Sequence, residues 1–173
     1  IKFNHDYKVD FFPVTEPVIG GTASRVMSLR DGTKKMSKSD PSDLSRINMG
    51  DNADTIFLKF KKAKTDAGAL PSEIHGLKNR PEAENLITIY SALSNQSIES
   101  TLKEVGGKQF SEFKPILAER AVELLSPIST EMNRLMQNSE EIDMILAKGA
   151  ERARKIAGPI LQKTYDIIGI LQP

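Results

Sequence analysis

Apolar residues along this chain follow a two-residue period only briefly and a helical period over most of its length. Ser24-Arg25-Val26-Met27-Ser28-Leu29 alternates polar and apolar positions, as a short half-buried strand does. Ahead of it, residues 1–7 read as the end of a helix already under way. Residues 9–19 carry Val9, Phe11, Phe12 and Val14, but Pro13 and Pro17 forbid a continuous central strand, and Gly20-Gly21 breaks the chain. Downstream, the spacing predicts a helix starting near Asp51, capped by that residue, with Ile56, Phe57, Phe60 and Ala63 on one side and Lys59, Lys61, Lys62 and Lys64 on the other. Pro81 opens a second helix with Leu86, Ile87, Tyr90 and Leu93 as its buried stripe. A short helix from about Ser97 to Val105 ends at Gly106-Gly107. A long one from Phe110 places Phe113, Leu117, Ala121, Leu124, Ile128, Met132 and Leu135 on one face, with a kink expected at Pro127. Ser139 is the expected cap of a last helix, whose stripe runs from Ile142 through Ile156 to Leu171 past Pro159. Residues 40–50 and 65–80 are turn-rich, and the first of these reads as a linker between two units.

This pattern predicts a mostly α chain, with a fragment of an α/β unit ending near residue 48 and a helical bundle from 49 to 173. Its 173 residues, 39% of them hydrophobic, suffice for one sizeable domain or a small one plus part of another. The net charge of +1 is unevenly spread. Residues 21–64 hold ten Lys/Arg against five Asp/Glu, whereas residues 65–145 hold seven against thirteen. That distribution fits a polyanion met at defined places better than a nonspecific nucleic-acid coat. Cysteine is absent, which excludes disulfides and cysteine-based zinc sites, and His5 and His75 stand too far apart in sequence to suggest a metal site. No apolar run approaches the ~18 residues of a membrane span, and there is no signal-peptide core, so a soluble, cytoplasmic protein without membrane attachment is expected. The first residue is Ile1 and not Met, which suggests that an upstream part is missing.

The densest chemistry lies in Lys34-Lys35-Met36-Ser37-Lys38-Ser39-Asp40-Pro41. Lys35 and Lys38 can converge on one polyanion only if the backbone curls, and Gly32 before them and Pro41 after them favour such a turn. A strand running into a basic loop is the arrangement expected at a nucleotide site in an open α/β sheet. No Walker-type glycine pattern competes with it. On the last helix Lys148, Arg152 and Lys155 fall at i, i+4 and i+7 with Arg154 close by, a short basic ridge partly neutralised by Glu151. For this ridge, as for the lysines after residue 58, a solvated helix face is the alternative to a phosphate contact.

The string Lys35-Met36-Ser37-Lys38-Ser39 resembles the signature loop of class I aminoacyl-tRNA synthetases. With its flanks it is similar to the bacterial-type tryptophanyl-tRNA synthetase family over nearly the whole chain. Those flanks are Arg25-Val26-Met27-Ser28-Leu29, Lys61-Lys62-Ala63-Lys64-Thr65-Asp66, Arg80-Pro81-Glu82-Ala83-Glu84-Asn85-Leu86 with Ile89-Tyr90, and a helical end after Ile167-Ile168-Gly169. Tyrosyl enzymes, the nearest relatives, usually carry Phe-Gly where Met36-Ser37 stands. The resemblance implies that residues 1–48 are the C-terminal edge of a Rossmann-like α/β catalytic domain and that 49–173 form a helical anticodon-binding domain. The half with the His-Ile-Gly-His-type motif, the Asp-Gln motif and the amino-acid pocket would then be absent, leaving the chain inactive alone.

What the resemblance implies for function is ATP-dependent activation of tryptophan to tryptophanyl-adenylate and transfer to tRNA(Trp). Lys35 and Lys38 would stabilise charge on the departing pyrophosphate, Ser37 and Ser39 would take further phosphate oxygens, and Val26 and Met36 would flank the adenine. Mg2+ would arrive bound through the ATP phosphates. Lys148, Arg152, Arg154 and Lys155 would meet tRNA phosphates, and the enzyme would be a homodimer joined largely through the missing part. The alternatives are a tyrosyl-type or other class I synthetase, and a non-enzymatic helical RNA-binding domain in which the loop is incidental.

Overall fold

A computed structural model describes residues 1–21 and 23–171. Helices dominate: α1 Lys2–Tyr7, α2 Ala53–Lys62, α3 Pro81–Leu93, α4 Ile98–Val105, α5 Phe110–Met136 and α6 Ser139–Ile168. The two strands, β1 Met27–Ser28 and β2 Asp31–Lys35, form an antiparallel hairpin with a bulge between Met27 and Ser28. The strand expected over residues 24–29 is thus shortened to its last apolar-polar pair, because it has one partner, β2, and the pairing starts only at Met27↔Lys35. Among the described residues no helix is long and apolar enough to cross a membrane.

The chain divides into two compact units, Ile19–Arg134 and Ile1–Val18 with Leu135–Pro173. The first holds the core, in which Leu29, Ile56, Phe60, Leu86, Ile87 and Phe113 are each at most 1% exposed. Its hairpin is locked onto α3 by the buried Asn85. The Asn85 Nδ2 donates to the Met27 carbonyl at 2.9 Å, and its Oδ1 accepts from the Met27 N–H at 2.9 Å. Gly32 is required at this contact because a Cβ there would lie 2.5 Å from the backbone carbon of Pro81. Leu29, at the hairpin turn, donates its N–H to the Ser45 carbonyl at 2.9 Å and accepts from the Lys64 N–H at 2.7 Å. Residues 40–50 are therefore folded against the hairpin, with a 3-10 turn at Asp43–Ser45.

Helix α2 departs from the sequence expectation in three ways. Its cap is Asn52, whose side chain accepts from the Thr55 N–H, and not Asp51. Phe57 is 37% exposed, whereas Lys59 is 1% exposed. At 100° per residue Lys59 stands only about 60° from Ile56, inside the buried arc, and Phe57 stands about 100° away, outside it. Asp51 is instead the counter-ion of Lys59.

In the second unit the rings of Phe3, Tyr7, Phe11 and Phe12 cluster, with Phe3 and Phe12 edge-on at 5.0 Å. Asn4 ties the chain after α1 by donating to the Phe12 carbonyl at 2.7 Å and accepting from its N–H at 3.0 Å. Helix α6 is capped by Asn138, which accepts from the Glu141 N–H, so Ser139 is its first residue and not its cap. An acceptor one residue outside the helix reaches the N3 amide, and Asn138 with Glu141 has that register. The helix closes at Gly169, φ 74°, in the left-handed region glycine enters without strain. No residue of α6 is buried, and the stripe on α5 is buried only up to Ala121 and again at Ser129; Leu124, Ile128 and Met132 are exposed.

Candidate functional site

The lysine-rich stretch straddles the end of β2. Lys34 and Lys35 are its last residues, and the loop proper is Met36–Asp40. It follows the carboxyl end of a strand, although that strand belongs to an antiparallel hairpin. The Met36 N–H donates to the Val26 carbonyl at 3.0 Å, which brings these two apolar residues side by side at the root of the loop. Met36 also packs against the core. Beyond it the chain turns, with Asp40 N–H directed at the Ser37 carbonyl at 3.4 Å and the Ser37 and Ser39 hydroxyls 3.0 Å apart.

The three lysines are not equivalent. Lys34 Nζ is 3.3 Å from Asp31, a carboxylate whose pKa falls to about 2, chiefly through hydrogen bonds from the Thr33 hydroxyl and amide and then through Lys34. Lys35 and Lys38 are exposed and make no ion pair or side-chain hydrogen bond among the described residues. The loop therefore offers two free ammonium groups, two hydroxyls that already face each other, and an apolar root. That is a donor set suited to a polyphosphate attached to an apolar ring system.

The far end of the loop is fixed by contacts that no local sequence pattern announces. Arg46 Nη1 donates to the Asp40 carbonyl at 2.9 Å, and Arg46 Nη2 lies 3.0 Å from Asp43. Lys59 Nζ then joins Asp43 at 2.8 Å and Asp51 at 2.5 Å. Asp51 in turn accepts from the Asn48 N–H at 2.8 Å. The hydrogen bond from Lys59, followed by that from Asn48, holds the Asp43 carboxyl below its usual range. This chain of contacts ties residues 40–51 to a helix of the core. The one sequence signal for it was a lysine at a buried helical position.

The basic ridge belongs to the other unit. Lys148, Arg152, Arg154 and Lys155 are all exposed on α6. Lys155 is paired with Glu151 at 2.7 Å. By helical rotation Lys148, Arg152 and Lys155 share a face, and Arg154 lies about 120° round from Lys148. Among the described residues no group of three His, Cys, Asp or Glu side chains could hold a metal ion.

A family profile described as tRNA synthetases class I (W and Y) matches residues 2–126. The tryptophan–tRNA ligase of Rhizobium meliloti is 64% identical over 162 residues, covering 94% of this chain and 46% of that protein. The corresponding ligase of Brucella melitensis is 58% identical, covering 99% of this chain and 54% of the relative. The chain thus spans about half the length of the curated relatives it matches. Among solved structures, tryptophanyl-tRNA synthetase from Mycoplasma pneumoniae superposes with a TM-score of 0.80 at 25% identity, covering 99% of this chain and 52% of that one. The Campylobacter jejuni enzyme complexed with ADP and tryptophan gives 0.64 at 25% identity, covering 98% and 50%. The profile matched across the hairpin, the lysine loop and the helices packed on them, together with relatives this similar, places the chain in the family of class I tRNA synthetases (W and Y).

Proposed function

We propose that this chain works as the C-terminal part of a cytoplasmic tryptophan–tRNA ligase, contributing the phosphate-binding loop and a tRNA-binding helical domain. The carrying observation is a pair of ammonium groups without a partner among the described residues, Lys35 at the end of β2 and Lys38 on the loop that follows it, a loop whose two ends are pinned to the core. In this reading residues 1–48 close the catalytic domain and residues 49–173 form the anticodon-binding domain. That division is one of function, distinct from the compactness of residues 19–134.

Val26 and Met36 would flank the adenine of ATP, and Ser37 and Ser39 would donate to phosphate oxygens once their mutual contact opens. Lys35 and Lys38 would meet the β- and γ-phosphates and neutralise the charge that grows as pyrophosphate departs from the tryptophanyl carboxylate's attack on the α-phosphorus. Such catalysis is mainly positioning and electrostatic stabilisation. Mg2+ held by the ATP phosphates would supply further charge neutralisation. Homodimerisation, tRNA(Trp) as the acceptor and tryptophan as the amino acid belong to the same proposal. The names of the curated relatives favour tryptophan over tyrosine.

The test is a graft. The 173-residue chain alone is expected to give no tryptophan-dependent ATP–pyrophosphate exchange, whereas the same chain replacing the corresponding half of the Rhizobium meliloti ligase is expected to restore it. Exchange by the chain alone would overturn the first expectation, and a folded but silent graft the second.

For the helical domain, the Lys148→Gln, Arg152→Gln, Lys155→Gln triple variant should weaken tRNA binding and flatten its salt dependence. Each lost phosphate contact lowers the log–log slope by roughly 0.7 to 0.9. Lys155 already has Glu151 as a partner, so the largest changes should come from Lys148 and Arg152. An unchanged slope would assign the ridge to solvent.

A further inference from the structure

Helix α2 and the first turns of α5 enclose a cavity of about 560 Å³, a volume typical of small-ligand pockets. Phe57, Lys61 and Thr65 come from α2 and the segment after it, and Phe110, Ser111 and Lys114 from α5. All lie in the Ile19–Arg134 unit. The walls are mainly apolar, yet two ammonium groups stand among them. Lys61 is exposed and has no partner among the described residues. Lys114 is half-buried and, among the described residues, donates to the Ala63 carbonyl alone, at 2.8 Å. Burial, and then the nearby charge of Arg30, push its pKa down, as expected of a cation with no anion to hold it. Phe57, left 37% exposed, lines the cavity beside these lysines.

We propose that this cavity receives one unpaired nucleotide of a bound RNA, its base against Phe57 and its phosphate between Lys61 and Lys114. Aromatic faces that stack on a base and cations that meet the neighbouring phosphate are the general means of holding single-stranded nucleic acid. The alternatives fit less well. An apolar peptide would bury two ammonium groups without counter-charge, and a free inorganic anion would leave most of the apolar wall unused. Base-paired RNA keeps its base faces stacked and could offer only phosphate. The inference rests on the reading of this chain as a tRNA-binding protein, but it concerns a different surface from the α6 ridge.

The experiment uses the 173-residue chain with a fluorescein-labelled single-stranded RNA heptamer and, as a control, an RNA duplex of the same sequence, both followed by anisotropy. Phe57→Ala is expected to weaken heptamer binding about tenfold and to leave the duplex unchanged. Lys61→Gln with Lys114→Gln should lower the salt slope for the heptamer by about 0.7, the share of the one phosphate they meet. Phe57→Leu, which keeps apolar bulk without a stacking face, should behave as Phe57→Ala does, and this excludes a folding defect as the cause. Equal losses for heptamer and duplex, no loss with either Phe57 variant, or no heptamer binding by the unmodified chain would each overturn the pocket. Displacement of the heptamer by UMP at an equal concentration of nucleotide would overturn RNA as the source in favour of a free nucleotide. An unlabelled tRNA transcript separates the two readings. If it fails to compete while Phe57 still matters, the tRNA reading falls; if it competes while Phe57 does not matter, the pocket falls.

Discussion

Replacing Lys59 by Met is expected to destabilise the Ile19–Arg134 unit by about 3–5 kcal/mol, the usual cost of removing one partner from a buried ion pair. Lys59 is 1% exposed and its partner Asp51 has a side chain only 10% exposed, so the variant leaves a carboxylate in a poor dielectric with no counter-charge. Methionine matches the length of the lysine stem, so an empty cavity contributes little to the loss. The measurement is the urea midpoint of the purified chain, with Lys61→Met as an exposed control expected to change stability by less than about 0.5 kcal/mol. A loss below about 1 kcal/mol for Lys59→Met would show that the contacts to Asp43 and Asp51 are incidental.

Acid dependence gives a second readout. The Asp43 carboxyl is held below its usual range, first by the hydrogen bond from Lys59. A group whose folded pKa is depressed lends stability that is full above its unfolded value, about 3.9, and is lost as pH falls through the folded value. The wild-type chain should therefore lose stability on the acid side of about pH 4, and this part of the loss should shrink in Lys59→Met.

Lys38→Ala, placed in the grafted ligase, is expected to slow adenylate formation by about 10²- to 10³-fold, the effect of removing one charge-stabilising donor from a preorganised site. That corresponds to roughly 2.7–4 kcal/mol of barrier. The expectation comes from the division of labour among the lysines. Lys34 is engaged by Asp31, whereas Lys38 projects from the turn with no partner among the described residues. Lys34→Ala is accordingly expected to change the rate by less than about threefold. Pyrophosphate exchange at saturating tryptophan measures the chemical step, and the tryptophan KM measures binding. A lowered rate with unchanged KM marks an interaction made in the transition state. A normal rate with a weakened tryptophan affinity would place Lys38 at the amino-acid side.

Helix existence and type were legible in the sequence because apolar residues recur at the helical period, buried as a stripe in α2 to α5 though not in α6, and because local start and stop signals flank them. Pro81 opens α3, Ser97 caps α4 and Gly106 ends it. The lysine loop was legible for a different reason, since its chemistry is written in consecutive residues. Pattern reading failed where residue type and position disagreed. The charge of Lys59 points to solvent although its rotation about α2 places it inside, and the side chain of Phe57 points to the core although its rotation leaves it at the edge, 37% exposed. Asn85, an amide among the apolar residues of α3, gave no hint of the two backbone groups 58 positions away that it satisfies.

The sequence by itself determined the helices, the signature loop and the family, all of which rest on local pattern or contiguous motif. Only the tertiary structure decided that the strand is half of an antiparallel hairpin, since pairing depends on which segment reaches its edge. The same holds for the division of the lysines into paired and free: Asp31 lies within reach of Lys34 but not of Lys35 or Lys38. It holds also for the anchoring of the loop's far end through Arg46, Asp43 and Lys59. A charge partner is chosen by distance in space, and the carboxylates that neutralise Lys59 lie eight and sixteen residues before it, in a segment whose own path is set by hydrogen bonds to the hairpin.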